Sequence, residues 1–290
     1  MILVTGVSGQ LGHALAQRLA VRGDAYKAVG RPDFDFEKPE TIKACFEQAR
    51  PTLVINAAAY TAVDKAEIEP KSAVACNHLG PLALAHLCGA ADIPLIHIST
   101  DYVFDGNKGS PYLESDPTNP AGVYGASKRD GEVAVLATQA KAIILRTAWV
   151  YSSHGKNFAK TMIEAGRRTP TLRVVADQRG SPTEARDLAD AILAVVDRLY
   201  KTGWQPDYRG VFHATSAGDT SWYGFACAIF AEAAKHGYQP PQVQPITTAE
   251  WPTPARRPPD SRLDCTKLKR VFDVALPEWR GSLGRVVKTL

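Results

Sequence analysis

The sequence predicts an α/β protein, a doubly wound parallel sheet accompanied by a smaller C-terminal domain. Three observations predict it. An apolar stretch at residues 2–5 runs into Gly6, Gly9 and Gly12, and then into a helical pattern of Leu11, Leu15 and Leu19. Beyond it, apolar strands alternate with helical segments at the rhythm of βαβ units. The length of 290 residues suits one large domain with a smaller partner.

The elements follow in order. The first helix ends near Gly23, and residues 26–29 read as the second strand. Residues 31–36 show no periodicity and read as a loop, after which Pro39 opens a helix over residues 40–49. Residues 53–59, Leu-Val-Ile-Asn-Ala-Ala-Ala, read as a buried strand ending in the small residues Ala57, Ala58 and Ala59. Small side chains there let a flat ligand lie against the backbone. A charged turn is expected at residues 64–67, followed by a long helix over residues 70–91. Leu79, Leu82, Leu84 and Leu87 are expected to face the core, with Pro81 kinking the helix. Strands at residues 95–100 and 143–147 and a helix at 186–199 complete the pattern. Ligands of such sheets bind beyond the carboxyl ends of the strands, so Gly6, Ala58, Thr100 and Thr147 share one rim.

Composition narrows the class. Hydrophobic residues make up 45% and charged residues 22%, which is ordinary for a soluble globular protein. The net charge of +4 is spread along the chain and leaves no nucleic-acid footprint. The five cysteines are scattered, with no C-x-x-C pair, so reduced thiols are expected rather than disulfides or a zinc site. No charged leader with an apolar segment precedes the first strand, and no apolar run approaches membrane-spanning length. A soluble, cytoplasmic protein without nucleic-acid or membrane partners is expected.

Two patterns carry chemistry. A strand that turns on glycines into a helix N-terminus collects backbone N–H groups and the helix dipole at one anion site. The spacing here is G-x-x-G-x-x-G rather than the commoner G-x-G-x-x-G, and alone it also fits a tight turn with no ligand. At the end of the second strand stands Gly30-Arg31, with no carboxylate to accept from a ribose 2′-OH. An arginine there accommodates a 2′-phosphate, which favours NADP(H) and leaves NAD(H) possible. The second pattern is Tyr124 and Lys128, one turn apart on a helical face. A nearby ammonium is expected to lower the phenol's pKa, making Tyr124 a proton donor to an oxygen that gains charge on hydride transfer. Thr100 or Ser99, at a strand end, could hold the same oxygen.

These elements together resemble the short-chain dehydrogenase/reductase superfamily with its Rossmann-like fold, in the extended branch that modifies nucleotide sugars. Four longer stretches are Ala57-Ala-Ala-Tyr-Thr-Ala-Val-Asp-Lys-Ala-Glu67, Ser99-Thr-Asp-Tyr-Val-Phe-Asp-Gly106, Arg146-Thr-Ala-Trp-Val-Tyr151 and Arg257-Pro-Pro-Asp-Ser-Arg-Leu-Asp264. They are similar to the dTDP-4-dehydrorhamnose reductase family, and the likeness runs over nearly the whole chain.

The resemblance implies NAD(P)H-dependent reduction of the 4-keto group of dTDP-4-dehydro-β-L-rhamnose to dTDP-L-rhamnose. It implies that Thr100 and Tyr124 polarise and protonate the sugar O4, while Lys128 binds the nicotinamide ribose. Gly6, Gly9, Gln10, Leu11 and Gly12 would line the pyrophosphate, Asp35 and Phe36 the adenine side, and Ala57, Ala58 and Ala59 the middle of the cofactor. Asp101 and Trp149 match positions that contact the sugar nucleotide; Arg257, Ser261 and Arg262 lie in the matching C-terminal loop. Related 4,6-dehydratases place Asp-Glu after the threonine, whereas Asp101-Tyr102 follows Thr100 here, so dehydration is not expected.

In some family members a Mg²⁺ ion joins two subunits through glutamates, where this chain carries Ala14 and Arg186. Neither offers carboxylate oxygen, so no metal is predicted and a monomer or non-metal-bridged homodimer is expected. The domain expectation is a dinucleotide-binding domain over residues 1–151, with 172–214 returning to it, and a sugar-nucleotide substrate-binding domain from 152–171 and 215–290. Two alternatives stand beside the reductase. One is a non-catalytic, NADP-binding regulatory subunit, as the β-subunit of methionine adenosyltransferase resembles this family; the other is a reductase or epimerase of another keto-deoxysugar nucleotide.

Overall fold

In the computed structural model, which describes residues 1–290, six strands form one parallel sheet. Five come early: β1 (Ile2–Thr5), β2 (Tyr26–Val29), β3 (Leu53–Asn56), β4 (Leu95–Thr100) and β5 (Ala142–Thr147). The sixth, Gly210–His213, pairs with β5 at one edge. Across the sheet the order is Gly210–His213, β5, β4, β3, β1, β2, so the winding reverses between β1 and β3. That reversal opens the crevice in which doubly wound sheets bind ligands.

The strands read as unbroken apolar runs because both faces are covered. Ile2, Val4, Leu53 and Ile55 point into one core with α1 (Gln10–Arg22). Leu3, Val54, Leu95 and Ile144 point into the other, against α2 (Pro39–Ala49) and later helices.

Three expectations about elements change. β3 stops at Asn56 because the Asn56 side chain accepts the Ala58 N–H at 3.2 Å, turning the chain locally. Ala57, Ala58 and Ala59 therefore belong to the turn. The charged stretch is one helical turn, α3 (Val63–Ala66). The long helix is divided: α4 (Pro70–Val74), a π-helical turn at Ala75–Leu79, then α5 (Gly80–Ala90). Pro81 has no N–H for the Asn77 carbonyl, and the Gly80 N–H reaches back five residues to Ala75. The wide turn rotates Leu79 out to solvent at 52% exposure and leaves Leu84 in the core; Leu82 and Leu87 are half-buried. The Asn77 carbonyl instead meets Gly131 of α6 (Val123–Thr138), where a Cβ would sit 2.0 Å from it.

After β5 the chain builds a smaller lobe. There α7 (Phe158–Gly166) accompanies strand Thr171–Val175, which pairs in parallel with Gln242–Ile246. The chain rejoins the sheet layer through α8 (Ala185–Thr202), which packs on α1. Next, α9 (Trp222–Ala234) closes the small lobe around Tyr151, Phe225 and Trp279. Then α10 (Thr266–Phe272) puts Leu268 and Phe272 into the core on the α1 side, and α11 (Trp279–Val287) returns to the small lobe. No helix is long and apolar enough to cross a membrane.

Candidate active site

The site begins at the reversal point. Gly6 has φ +76°, and a Cβ on it would lie 2.7 Å from the Ala58 nitrogen. Gly12 is buried in the first turn of α1, where a Cβ would lie 2.1 Å from the Gly6 carbonyl oxygen. Gly9 caps α1 without a side chain, so the helix's first N–H groups stay open at the rim. This is a cradle that side chains would fill, and it suits a diphosphate.

From it runs a cleft of about 650 Å³ between the sheet rim and the small lobe. At one end stand Arg31, Asp35 and Phe36; Gly6, Gly9, Gln10, Leu11 and Ala57 to Ala59 form the middle; Thr100, Asp101, Tyr124, Lys128 and Trp149 close the other end. Four residues singled out in the sequence lie outside its lining. Gly12 sits behind the glycine loop as a packing position. Arg257 is held off the cleft by Asp64, 2.7 Å away, and Ser261 is buried with its hydroxyl donating to the Arg179 carbonyl at 3.4 Å. Arg262 pairs with Asp260 at 2.6 Å. Asp64 thus ties the C-terminal loop to the rim side, Ser261 ties it to the Arg179 strand, and the Arg262–Asp260 pair lies within it.

Tyr124 and Lys128 share the start of α6, whose Val123 N–H donates to Glu67 at 2.9 Å. Glu67 and Asp64 thus give the early charged stretch a structural purpose: one caps the helix that bears Tyr124, and the other pins Arg257. The expected effect of Lys128 on Tyr124 is not what the geometry gives. Burial in the cleft and the neighbouring Asp101 push the Tyr124 phenol up to about 12, against a hydrogen bond from Thr100. Lys128 spends its ammonium elsewhere, donating to the Ile98 carbonyl at 2.6 Å, and burial brings it down to about 8. Tyr124 is therefore a neutral phenol across the working range, which is the form a proton donor needs.

Thr100 also separates from Ser99. The Ser99 hydroxyl donates to Glu132 at 2.5 Å, and Glu132 is bonded in turn to Arg146 at 2.6 Å, a buried pair. That leaves Thr100 as the hydroxyl beside Tyr124. It donates to Asp101 at 3.1 Å, whose carboxyl burial raises to about 6.

Beyond the residues assigned a role from the sequence, the structure adds Trp222 to the lining, places Thr147 on it as the strand-end rule expects, and sets His97 behind it. Trp222 of α9 stacks on Trp149 with ring centroids 3.4 Å apart, forming one wall of the cleft. Thr147 is the register partner of Thr100, and its buried hydroxyl has no hydrogen-bond partner. His97, one strand position before Ile98, lies against Lys128. Only the fold sets Trp222 and His97 at or behind the cleft, since one comes from the small lobe and the other from the interior of a strand.

Known proteins resemble this chain over its whole length. The family model described as RmlD substrate binding domain matches residues 1–290. The chain is 44% identical over 290 residues to a dTDP-4-dehydrorhamnose reductase of Sinorhizobium fredii, covering 100% of this chain and 97% of that protein. A probable dTDP-4,6-dihydroxy-2-methyloxan-3-one 4-ketoreductase of Streptomyces antibioticus is 41% identical, covering 97% and 92%. A dTDP-4-dehydrorhamnose reductase from Bacillus anthracis, solved in complex with NADP, superposes with a TM-score of 0.90 at 33% identity, covering 100% and 99%.

Proposed function

The chain belongs to the dTDP-4-dehydrorhamnose reductase family, and from that premise we propose that it reduces the 4-keto group of dTDP-4-dehydro-β-L-rhamnose to dTDP-L-rhamnose in the cytoplasm. The observation that carries this reading is the meeting of Thr100, Tyr124 and Lys128 at the end of one cleft that begins at a glycine cradle. A bound NAD(P)H supplies the hydride. Gly6, Gly9, Gln10 and Leu11 hold its diphosphate on the N-terminus of α1, and Ala57 to Ala59 let it pass close to the backbone.

The chain's own work is to bind the ketone, polarise it and deliver a proton. Tyr124 donates to O4, and Thr100 turns its one hydroxyl proton from Asp101 to the same oxygen, which gains negative charge as C4 is reduced; the Tyr124 proton then moves to O4. The buried surroundings keep that proton on the phenol until charge appears. Lys128 holds the ribose next to the reacting carbon. Trp149, stacked on Trp222, gives the sugar a flat wall, and Asp101 orients Thr100. Arg31, exposed and only loosely paired with Glu37 at 3.7 Å, is free to meet a 2′-phosphate, so NADPH is the preferred donor and NADH the weaker one. The sheet layer is read as the cofactor domain and the small lobe as the sugar-nucleotide domain. Ala14 is buried and Arg186 bears no carboxylate, which favours a monomer or a homodimer not bridged by metal.

The test follows nicotinamide oxidation with dTDP-4-dehydrorhamnose generated in situ. Formation of dTDP-L-rhamnose, faster with NADPH than with NADH, is the expected result. Binding of cofactor without turnover of any dTDP-keto sugar would overturn the enzyme reading; turnover of a different keto sugar only would overturn the substrate.

A further inference from the structure

The Lys128 amine has a second neighbour besides the Ile98 carbonyl. Its Nζ lies 3.5 Å from Nε2 of His97, a fully buried ring on β4. On its other side, His97 Nδ1 lies 2.8 Å from Asn56 Nδ2. The remaining contacts fix which atom of the Asn56 amide faces the ring. Asn56 Oδ1 takes the Ala58 N–H at 3.2 Å and the Thr5 hydroxyl at 2.6 Å. The Ala58 N–H also reaches Thr5 Oγ1 at 3.2 Å, and the Thr5 hydroxyl that accepts there has its own proton free for Asn56; both donors on that side call for the amide oxygen, which turns the NH₂ to His97. The amide nitrogen has no acceptor capacity, hence Nδ1 of His97 accepts and the ring's one proton sits on Nε2.

That N–H points at Lys128. An ammonium has three donors and no acceptor, so as an ammonium it meets His97 donor to donor. As an amine it donates to Ile98 and offers His97 its lone pair, and every contact is then satisfied. We propose that His97, locked as the Nε2–H tautomer by Thr5 and Asn56, is a positioning residue that aims a donor at Lys128 and makes the amine's third proton easy to lose. The proposal rests on the reading of Lys128 as part of the reductase site.

Other groups around the amine do not supply this effect. Glu132, on the same helix, favours the ammonium, but its carboxylate is engaged by Arg146 of β5 and Ser99 of β4. Tyr124 is a neutral phenol, and Asp101, in the turn after β4, is bonded to Thr100. Burial and the facing Lys128 also hold His97 well below the ordinary histidine range, as a ring without a second proton requires.

Long-range ¹H–¹⁵N spectra of the full chain, labelled at histidine, read the tautomer directly. Between pH 5.5 and 9.5, with and without NADPH, His97 should keep the neutral Nε2–H pattern. An Nδ1–H pattern, or protonation in that range, overturns the proposal without any variant. Asn56→Asp then places a carboxylate oxygen on Nδ1, which draws the proton there and turns Nε2 into an acceptor for the ammonium. The Lys128 titration midpoint, followed by lysine-selective labelling, and the basic limb of kcat/KM should both rise by a unit or more. The double variant Asn56→Asp/His97→Phe separates relay from charge. Loss of the rise supports His97 as the carrier, and its persistence shows that the carboxylate acts directly and sinks the proposal. If no dTDP-sugar is reduced at all, the functional reading fails while the tautomer and lysine titrations still decide this one.

Discussion

At the scale of single residues, the site divides its labour by environment. Burial keeps the Tyr124 proton in place up to about pH 12, whereas Lys128 releases one near 8. Tyr124→Phe removes the donor and keeps the ring, including its edge contact with Tyr102 at 5.6 Å between centroids. Turnover should fall about 10²–10⁴-fold, the usual worth of a positioned acid, with NADPH affinity by calorimetry nearly unchanged. The lysine gives a pH signature. Its folded value is depressed, so the ammonium is intact below about pH 7 and is lost as pH rises through about 8. If the ammonium form is the active one, kcat/KM should fall above pH 8 while the Tyr124 phenol stays protonated. A profile flat to pH 10 would show that Lys128 keeps its charge in the free enzyme. Tyr124 and Lys128 were legible in the sequence because their spacing is a helical turn. His97 was not, since a histidine in an apolar strand looks like core until strand register sets it beside Asn56, 41 positions earlier.

At the scale of elements, the glycine loop is the part that sequence pattern describes best, because close approach admits no other residue. Gly12 and Gly23 lie on the same helix and separate two reasons for glycine. A Cβ on Gly12 would strike the Gly6 carbonyl at 2.1 Å, while Gly23 ends α1 at φ +72° with nothing within 4 Å. Gly12→Ala must push α1 off β1, so a loss of about 1–3 kcal/mol in denaturant unfolding and a much weaker NADPH titration are expected. Gly23→Ala costs about 1 kcal/mol of left-handed strain and should leave NADPH binding alone. Equal effects of the two on binding would show that the cradle does not depend on helix–strand contact. Where the sequence misled, a tertiary partner intervened. The period of Leu79, Leu82, Leu84 and Leu87 describes a regular helix, but Pro81 breaks the ladder and Gly131 receives the displaced Asn77 carbonyl, so Leu79 faces water. Nothing local to residues 70–91 announces the glycine on α6 that accepts that turn.

At the scale of the whole molecule, the two lobes meet through the same loop that forms the diphosphate cradle. Gln10 Nε2 donates to the Val150 carbonyl at 3.1 Å, and its Oε1 accepts from Ser152 at 2.9 Å and Asn157 at 3.0 Å. His154 adds a second tie, stacked on His13 at 3.8 Å and bonded to the Ser8 carbonyl at 3.2 Å. Ser152 and Asn157 lead into the small lobe, so the side chain proposed to border the diphosphate also helps set where the Trp149–Trp222 wall stands. On the proposed function, cofactor and sugar nucleotide would be coupled by this geometry, each helping to hold the loop the other needs. Gln10→Ala leaves the Val150 carbonyl and one Asn157 N–H without this partner at a partly buried seam, while Ser152 keeps the His154 carbonyl at 2.7 Å, a loss of about 1–3 kcal/mol. Because Gln10 contacts no reacting atom, the loss should fall on binding. KM should rise about tenfold or more for NADPH and for the dTDP-sugar alike, with kcat changed far less. Calorimetry adds the decisive comparison. In the parent chain NADPH should tighten binding of dTDP, and in Gln10→Ala that tightening should shrink towards unity. A variant that weakens NADPH while keeping the full tightening would place the coupling elsewhere, with the His13–His154 stack the next contact to remove.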